Sequence, residues 1–505
     1  MDFTFTVLTD ATERLVSAGR GDTLLDALRR ADIFVEAPCG GHGVCGKCRV
    51  TLEDAQGARE VLACQTPAAP GLRVRTGGEA AMHIEEFGRA GAVQADGEQG
   101  LGVAVDIGTT TVVVHLFELS TGRRLGTKSG ANDQRPYGAD VISRISYAAE
   151  NGTEALREAI AGQLAGYIRA LCAAAGADDA DVRRIVIAGN TVMEHLFAGL
   201  DPTPIGVAPF RPATLFRESE GTDRRFGAFP GARLLLCPCV AGYVGGDITA
   251  GLLACGAQRE EKPCLFLDVG TNGEMALCRG GRFDCCATAA GPAFEGAEIT
   301  CGMAGVTGAI NAVRFEDGAL RCSVIGGGDA KGVCGSGLID AVAVMLRLGV
   351  VDETGRLCAD AAATPLLGEN ENGTVFFLTE DRGVFITQND IRQVQLAKAA
   401  VAAGLRILID RAGLRFADID KLFLAGGFGS YIDKTSAVEI GLLPRELLGR
   451  IEVVGNSAGD GACASLLRAD ARRTLAGIAD SCTYVELSSC AAFMDAYVDE
   501  MSFEP

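Results

Sequence analysis

Two segments of the chain end an apolar run with an aspartate and continue into a glycine turn. VAVDIGT spans residues 103–109 and LFLDVGT spans residues 265–271. Glycine permits a tight turn whose backbone N–H groups can face an anion. A carboxylate beside that turn can hold Mg²⁺ or its water shell. Because the pattern occurs twice, it predicts two similar halves that face one polyphosphate; the alternative is two unrelated strand-to-turn junctions.

Four cysteines near the N-terminus have a spacing typical of iron–sulfur ligands. The pattern is C-x5-C-x2-C-x15-C, formed by Cys39, Cys45, Cys48 and Cys64. Three of them lie in a glycine-rich loop and the fourth follows a separate predicted strand, which suits a [2Fe–2S] cluster. The spacing resembles that of plant-type ferredoxins with one more residue in the first gap, as in adrenodoxin-like β-grasp ferredoxins. Zinc is the alternative, but zinc sites usually pair two C-x2-C motifs, and only one occurs here.

Composition limits the class of protein. A chain of 505 residues with 48% hydrophobic residues and 67 glycines is expected to form several globular domains. Its formal charge of −19 argues against nucleic acid as a partner, because phosphate binding needs a basic surface. We expect no membrane helix, since no apolar run approaches about 18 residues. With 19 cysteines and no secretory signal, the chain is expected to be cytoplasmic, with reduced thiols.

The order of patterns along the chain predicts its domains. Residues 1–80 read as a small β-rich domain, and residues 81–100 as a glycine-rich linker that would let the cluster approach a partner. Residues 101–262 and 263–505 each alternate strands with amphipathic helices, which predicts two α/β lobes. Within the second lobe, Gly335 and Ser336 stand at a helix start, where they could face an anion or a sugar or serve as a plain cap.

The turns then reveal a resemblance. Five of them stand in order, at Asp106, residues 189–190, Asp268, residues 426–427 and residues 455–461. This set resembles the acetate kinase, sugar kinase, Hsp70 and actin superfamily over residues 101–475. Joined to the [2Fe–2S] segment, the whole chain resembles the ATP-dependent reductive activators of corrinoid-dependent methyltransferases and corrinoid iron–sulfur proteins. The supporting segments are residues 106–111, 267–274, 290–297 and 334–340.

The resemblance implies a fold, an activity and partners. The fold would be a multidomain one, with an N-terminal β-grasp [2Fe–2S] ferredoxin (α+β) followed by a two-lobed α/β ATPase of the actin, Hsp70 and sugar-kinase type. The activity would be that of an ATP-hydrolysing metalloreductase, which passes one electron from the cluster to reduce inactive cob(II)alamin to cob(I)alamin. The partners would be a corrinoid protein, a low-potential electron donor and a second copy of the chain bound through the ATPase domain.

The resemblance also implies residue roles. Asp106 and Asp268 would position Mg²⁺ and the attacking water, and Asp460 would assist the metal. The cluster ligands would be Cys39, Cys45, Cys48 and Cys64. The residues that would contact ATP are Gly108, Thr109, Thr110, Gly270, Thr271 and Asn272 for the phosphates, Gly335 and Ser336 for an anion or sugar, and Gly426, Gly427 and Gly429 for adenosine.

Other interpretations remain open. One alternative is a small-molecule kinase fused to a ferredoxin domain, although the sequence shows no separate motif for binding a phosphate acceptor. An activator of 2-hydroxyacyl-CoA dehydratases would share the ATPase fold but would need a [4Fe–4S] cluster between two subunits, which the N-terminal spacing disfavours. A redox sensor that binds nucleotide without turnover is a further alternative. A second cluster could use Cys237, Cys239, Cys285 or Cys286, for which ordinary buried thiols are the alternative.

Overall fold

The computed structural model of the chain describes residues 3–9, 13–31, 33, 35, 37, 41, 43, 48–54, 57–76, 86, 88, 94–217, 221–222, 226–270, 272–358, 365–427 and 429–503. Within these ranges, no helix is both long enough and apolar enough to span a membrane.

The N-terminal part is a five-stranded sheet covered by one helix. Phe5 and Val7 alternate with outward-facing threonines, so one face of the first strand is buried. The helix begins at a capping box, in which Thr23 and Asp26 bond each other's backbone N–H groups. The sheet order is β2-β1-β5-β3-β4. The elements are β1 Phe3–Leu8, β2 Glu13–Ala18, α1 Leu24–Arg30, β3 Arg49–Asp54, β4 Gly57–Leu62 and β5 Arg73–Arg75.

The first lobe is built on a six-stranded sheet of order β10-β11-β9-β6-β7-β8. Its central strand β6 is buried along nearly its whole length, which explains the continuous apolar run before Asp106. The elements are β6 Leu101–Ile107, β7 Thr111–Glu118, β8 Arg123–Ala131, α2 Val141–Asn151, α3 Glu154–Ala174, β9 Val182–Gly189, α4 Thr191–Ala198, β10 Gly221–Thr222, β11 Arg233–Leu236 and α5 Gly246–Cys255.

The second lobe is built on a six-stranded sheet of order β22-β21-β12-β13-β14-β23, with two three-stranded sheets, β16-β15-β17 and β18-β19-β20, beside it. Its strands are β12 Cys264–Val269, β13 Gly273–Arg279, β14 Arg282–Thr288, β15 Ala309–Glu316, β16 Ala319–Val324, β17 Gly332–Val333, β18 Leu367–Asn370, β19 Gly373–Phe377, β20 Phe385–Thr387, β21 Lys421–Ala425, β22 Ile451–Gly455 and β23 Cys482–Tyr484. Its helices are α6 Gly335–Arg347, α7 Gln388–Arg411, α8 Lys434–Glu439, α9 Ser457–Leu467, α10 Ala469–Ser481 and α11 Ala491–Asp499.

The two large sheets repeat one topology. In the first lobe β8, β7 and β6 form an antiparallel meander, after which β9 and β11 add in parallel to β6. In the second lobe β14, β13 and β12 form the same meander, and β21 and β22 add in parallel to β12. The strands β6 and β12, which end in the two aspartate turns, therefore occupy the same place in each lobe. The prediction of two similar halves is confirmed.

Helices α5 and α9 form the layer between the lobes. A hydrophobic core joins residues of both large sheets to these two helices, among them Ala104, Val186, Phe266 and Ala462. The helices approach closely because glycine occupies the contact: a side chain at Gly461 would overlap the Ala250 carbonyl. The turns that carry the predicted chemistry thus lie at the strand ends that flank a tightly packed pair of helices.

Candidate functional site

The two predicted aspartates lie in one cleft, at the carboxyl ends of β6 and β12. Burial and the nearby Asp247 carboxylate raise the pKa of Asp106 to about 7. Burial, Asp247 and then Asp106 raise the pKa of Asp268 to about 7. The Asp106 charge therefore acts on Asp268, which requires the two lobes to bring these carboxyls close together. Perturbed carboxyl groups of this kind are concentrated at functional sites.

Asp247 is a third member of the cleft, which the sequence patterns did not indicate. It is the second residue of α5, where its carboxylate accepts the Ile248 backbone N–H at 2.8 Å. Burial raises its pKa to about 6. The signal that could have found it is the pair Gly245-Gly246 just before an acid at a helix start. Both glycines are needed, since a Cβ on Gly245 would lie 2.5 Å from the Asn190 Cα atom and one on Gly246 would overlap the Glu194 carboxylate.

Two glutamates extend the acidic cluster. Glu274 is the direct cross-strand partner of Asp268, and burial with Asp247 and Asp268 raises its pKa well above the usual range. Glu194, on α4, is fully buried; burial and Asp247 raise its pKa well above the usual range. Its Oε1 atom has no hydrogen-bond partner among the described residues. One buried carboxyl and several half-buried ones this close together need protons or a cation, and carboxylate oxygens suit a hard cation such as Mg²⁺.

These carboxyls would hold Mg²⁺ largely through its bound waters. Among the described residues, no three His, Cys, Asp or Glu side chains come close enough to ligate one ion together. Mg²⁺ commonly keeps several waters and binds through one or two carboxylates and the phosphates of its nucleotide. The arrangement therefore suits a hydrated Mg²⁺ that arrives with a polyphosphate.

The first phosphate turn is held from behind by amide side chains. Asn132 Nδ2 donates to the Gly108 carbonyl at 2.8 Å, and its backbone N–H donates to the Thr110 carbonyl at 2.9 Å. Asn190 Nδ2, at the start of α4, donates to the Thr109 hydroxyl at 3.0 Å. The carbonyls of the turn thus point into the lobe. Gly108 is required by the tight turn, because a Cβ there would lie 2.8 Å from the Thr111 carbonyl oxygen.

A buried arginine, which the sequence patterns did not indicate either, also supports this turn. Arg144, on α2, is fully buried and donates through Nη2 to the Thr109 carbonyl at 2.6 Å. Its other donors meet the Gly138 carbonyl, Gln134 Oε1 and Met193 Sδ. Burial lowers the pKa of Arg144 to about 9, so it stays charged at neutral pH. It supplies a positive charge directly behind a turn that would bind phosphate.

The turn after β12, predicted to bind phosphate, meets the turn after β21, predicted to bind adenosine. Asn272 accepts the Gly270 N–H through its backbone carbonyl at 2.9 Å; Thr271 lies outside the described residues. Gly426 has φ +90°, and a Cβ there would lie 2.5 Å from Asp268 Oδ1. Only glycine lets this backbone rest against the carboxylate. Gly427 continues the turn.

Gly429 and the N-terminus of α9 complete the surroundings. A Cβ on Gly429 would overlap the Ala425 carbonyl. Asn456, the N-cap of α9, donates through Nδ2 to Asp106 Oδ2 at 2.9 Å and so ties the second lobe to the first turn. Asp460 lies in the first turn of the same helix, and its carboxylate accepts the Gly88 backbone N–H at 3.3 Å. A role for Asp460 at the metal remains a prediction.

Gly335 and Ser336 begin α6, as predicted, but Ser336 is occupied within its own lobe. It is 3% exposed, and its hydroxyl donates to the Asn311 carbonyl at 2.8 Å. The N-cap of α6 is Cys334 and no side chain caps this helix, so the plain-cap alternative is wrong for Ser336, whose hydroxyl instead ties α6 to β15. Contact with nucleotide remains a prediction.

The N-terminal domain brings two predicted cluster ligands together. The Cys48 and Cys64 sulfurs are 3.2 Å apart, and the Cys64 backbone N–H points at Cys48 Sγ at 3.5 Å. A Cβ on Gly41, in the glycine-rich loop, would lie 3.8 Å from the Cys64 Cβ. Cys39 and Cys45 lie outside the described residues. Two converging sulfurs with a backbone N–H aimed at one of them fit a shared iron–sulfur cluster.

The cysteines considered for a second cluster are ordinary buried thiols in the structure. Cys237, Cys239, Cys285 and Cys286 are all fully buried, and burial raises the pKa of Cys237, Cys239 and Cys286, which keeps these three protonated.

Fold and site together define an iron–sulfur domain fused to a two-lobed ATPase. Residues 8–69 match the 2Fe-2S iron-sulfur cluster binding domain, residues 101–260 match the RACo middle region, and residues 262–505 match the C-terminal domain of RACo, the ASKHA domain. These matches confirm the predicted fold class and the predicted cofactors, a [2Fe–2S] cluster and Mg²⁺·ATP. The predicted domain boundaries stay predictions.

Comparison with individual proteins identifies the family more closely. The chain is 38% identical over 418 residues to "Corrinoid activation enzyme RamQ" of Eubacterium limosum, covering 80% of this chain and 70% of that one. It is 26% identical to "[Co(II) methylated amine-specific corrinoid protein] reductase" of Methanosarcina barkeri, covering 68% and 66%. A solved structure, "Reductive activator for corrinoid,iron-sulfur protein", matches with TM-score 0.70 and 31% identity over 99% and 98% of the two chains. The chain belongs to the family of reductive activators of corrinoid proteins.

Proposed function

We propose that this enzyme reduces cob(II)alamin in a partner corrinoid protein to cob(I)alamin, with one electron from its [2Fe–2S] domain and with Mg²⁺·ATP as the driving ligand. Family membership supports the reaction class. The observation that carries the ATP requirement is the pair Asp106 and Asp268, each with a pKa raised to about 7, at equivalent strand ends of one cleft.

The redox step explains why a nucleotide is needed. A [2Fe–2S] cluster held by the four cysteines would supply a one-electron donor at about −400 mV, as in plant-type ferredoxins. Reduction of cob(II)alamin has a very low potential, so transfer alone would be uphill. Each ~1.4 kcal/mol of coupling changes a one-electron equilibrium by about 59 mV. Nucleotide binding or hydrolysis can supply several such steps, provided that the nucleotide states differ in affinity for the partner's redox states.

Different residues of the cleft would bind the metal, the attacking water and the phosphates of the nucleotide. Asp106, oriented by Asn456, and Asp268, packed under Gly426, would orient the hydrated Mg²⁺ and the attacking water. Carboxyls with a pKa near 7 are also suited to take a proton from that water at neutral pH. Thr109 and its turn would bind phosphate, with the Arg144 charge behind them.

Further parts of the proposal rest on the family resemblance and the thiols. The enzyme would act as a homodimer through its ATPase domain and would receive its electron from a low-potential donor. All cysteines within the described residues are free of disulfides, which supports a reducing compartment such as the cytoplasm.

The test is an anaerobic spectroscopic assay. Reduced, cluster-loaded protein is mixed with cob(II)alamin-loaded corrinoid protein, and the visible spectrum is followed with and without Mg²⁺·ATP. Cob(I)alamin should appear only with ATP. It should be absent in Asp106→Ala and Cys64→Ser and unchanged in Asp495→Asn, an exposed carboxylate on α11. No cobalt reduction by intact, ATP-binding protein across several corrinoid partners would overturn the proposal in favour of a sensor or kinase.

A further inference from the structure

The segment that leads from the iron–sulfur domain to the ATPase is bound to both lobes where it is described. On the first lobe, Ser129 of β8 donates to Glu86 Oε1 at 2.6 Å, and the buried His115 ring donates to the Glu86 backbone carbonyl. On the second lobe, Gly88 pairs with Gly455 in an antiparallel bridge. The two described residues of this stretch, Glu86 and Gly88, therefore contact one lobe each.

Asp96, farther along the chain, contacts the other end of helix α9. The Asp96 backbone N–H donates to the Leu467 carbonyl at 3.0 Å, and the Asp96 carboxylate accepts the Ala469 N–H at 2.6 Å. Gly88 meets the first turn of α9 and Asp96 meets the last. The attachment points, Asp460 and Leu467, are thus about 10 Å apart along the helix axis at about 1.5 Å per residue.

The contact at Gly88 is closely fitted. Its N–H donates to Asp460 Oδ1 at 3.3 Å. A Cβ at this position would overlap the Asp460 carboxylate and would lie 2.9 Å from the Val454 carbonyl oxygen. Glycine is therefore required here by close approach.

The start of α9 is also part of the nucleotide cleft. Asn456 donates to Asp106, and the Gly455 carbonyl accepts the Gly426 N–H at 3.3 Å. Gly455 thus touches the linker on one side and the adenosine turn on the other. The backbone N–H of Asp460 donates to the Asn456 carbonyl at 3.2 Å, so the residue that holds the linker and the residue that holds Asp106 share one helical turn.

We infer that Asp460 is a positioning residue, which holds the iron–sulfur domain's linker at Gly88 and releases it when Mg²⁺·nucleotide enters the cleft. The inference rests on the proposed function of the cleft. A divalent cation is a much stronger partner for the Asp106 carboxylate than the neutral amide of Asn456. Drawing Asp106 away from Asn456 loosens the first turn of α9, and with it the contact to Gly88. The reach of the cluster then depends on the nucleotide.

Hydrogen exchange of the linker in the full-length protein tests this inference. Exchange of a peptide covering residues 86–98 is compared with and without Mg²⁺ and a non-hydrolysable ATP analogue. Since one hydrogen bond contributes about 1 kcal/mol, we expect exchange about fivefold faster with nucleotide. In Asp460→Ala exchange should be fast under both conditions. Asp460→Asn keeps an oxygen that can accept the Gly88 N–H, so its exchange should again become faster when nucleotide is added. If Asp460 had a merely structural role, linker exchange would not depend on nucleotide in this way.

Two further variants separate the linker contact from general destabilisation. Gly88→Ala introduces the overlap with Asp460 and should give fast, nucleotide-insensitive exchange. Gly477→Ala, a helical glycine with open space around its Cβ, should behave as the wild type. The inference would be overturned if the exchange rate of the wild-type linker did not change on nucleotide binding. It would also be overturned if the linker exchanged at the same rate in Asp460→Ala as in the wild type. If calorimetry detected no nucleotide binding, both the inference and the proposed function would be overturned. If the linker responded to nucleotide but no cobalt was reduced, only the proposed function would be overturned.

Discussion

Replacing Asp106 by asparagine should make the protein more stable at neutral pH while removing its response to Mg²⁺·ATP. The pKa of this carboxyl rises from an ordinary 3.8 to about 7 in the folded chain. The folded state therefore binds the proton more tightly than the unfolded state, and stability falls as the pH rises from about 4 through about 7. At about 1.4 kcal/mol per pKa unit, the ionised carboxylate destabilises the fold by about 4 kcal/mol above pH 7.

The variant should recover most of this free energy. An asparagine at position 106 keeps an oxygen that accepts from Asn456, but burying its amide without full pairing costs about 1 to 2 kcal/mol. The net gain at pH 8 is then about 2 to 3 kcal/mol, which corresponds to a rise in Tm of at least about 4 °C for a lobe of this size. Below pH 4 the wild-type carboxyl is protonated in both states, so only the cost of the amide remains and the variant should be less stable than the wild type by about 1 to 2 kcal/mol.

Thermal unfolding between pH 4 and pH 8.5, in buffer free of nucleotide and Mg²⁺, measures this effect. The wild type should lose stability across the range and Asp106→Asn should lose less of it. Added Mg²⁺·ATP should raise the Tm of the wild type much more than that of the variant. The control is Asp495→Asn, which changes the same formal charge on the exposed surface of α11. A variant with an unchanged or lower Tm at pH 8, or with the wild-type pH dependence, would refute the reasoning.

Three further changes test other parts of the site. Gly426→Ala places a Cβ 2.5 Å from Asp268 Oδ1 at a backbone φ of +90°, which costs about 1 to 3 kcal/mol; calorimetry should show Mg²⁺·ATP binding weakened about tenfold or more, and unchanged affinity would contradict the contact. Arg144→Met should lower both stability and ATP affinity, and Arg144→Lys should not rescue it because an ammonium cannot reach four acceptors in a fork; full rescue by Lys would show that charge alone matters. Cys64→Ser should lower iron per chain and visible absorbance while ATP binding persists, and an intact cluster would refute the ligand assignment.

The two similar lobes could be predicted because each is marked by a short continuous sequence pattern. An apolar run that ends in Asp-x-Gly-Thr describes a strand buried on both faces and the turn that follows it, and neither depends on distant residues. Asp106 and Asp268 therefore identified the two equivalent strands, β6 and β12. Cysteine spacing singled out Cys48 and Cys64, whose sulfurs the fold brings to 3.2 Å; their role as cluster ligands stays a prediction.

The residues that the sequence did not reveal owe their importance to burial by distant segments. Arg144 follows an ordinary capping box at the start of α2, and nothing near it in sequence distinguishes it from a surface arginine. Only the fold encloses it against Thr109 and Met193. Asp247 likewise reads as a normal acidic residue in the first turn of a helix. It becomes a candidate site residue because the fold brings the start of α5 close to Asp106 and Asp268. Tertiary electrostatics of this kind has no local pattern.

The packing between the lobes determines how nucleotide chemistry can be transmitted. Helices α5 and α9 touch backbone to backbone at Gly461 and Ala250, so neither can shift its contact by small side-chain adjustments. We therefore expect binding at Asp106 and Asp268 to be accommodated at the start of α9 or by movement of one lobe relative to the other, rather than at this contact. The start of α9 carries both Asn456 and Asp460, so such a movement changes the Asp106 contact and the linker contact together. On the proposed function, ATP would then assist an electron transfer that occurs in another domain, because α9 contacts both Asp106 and the segment leading to the cluster.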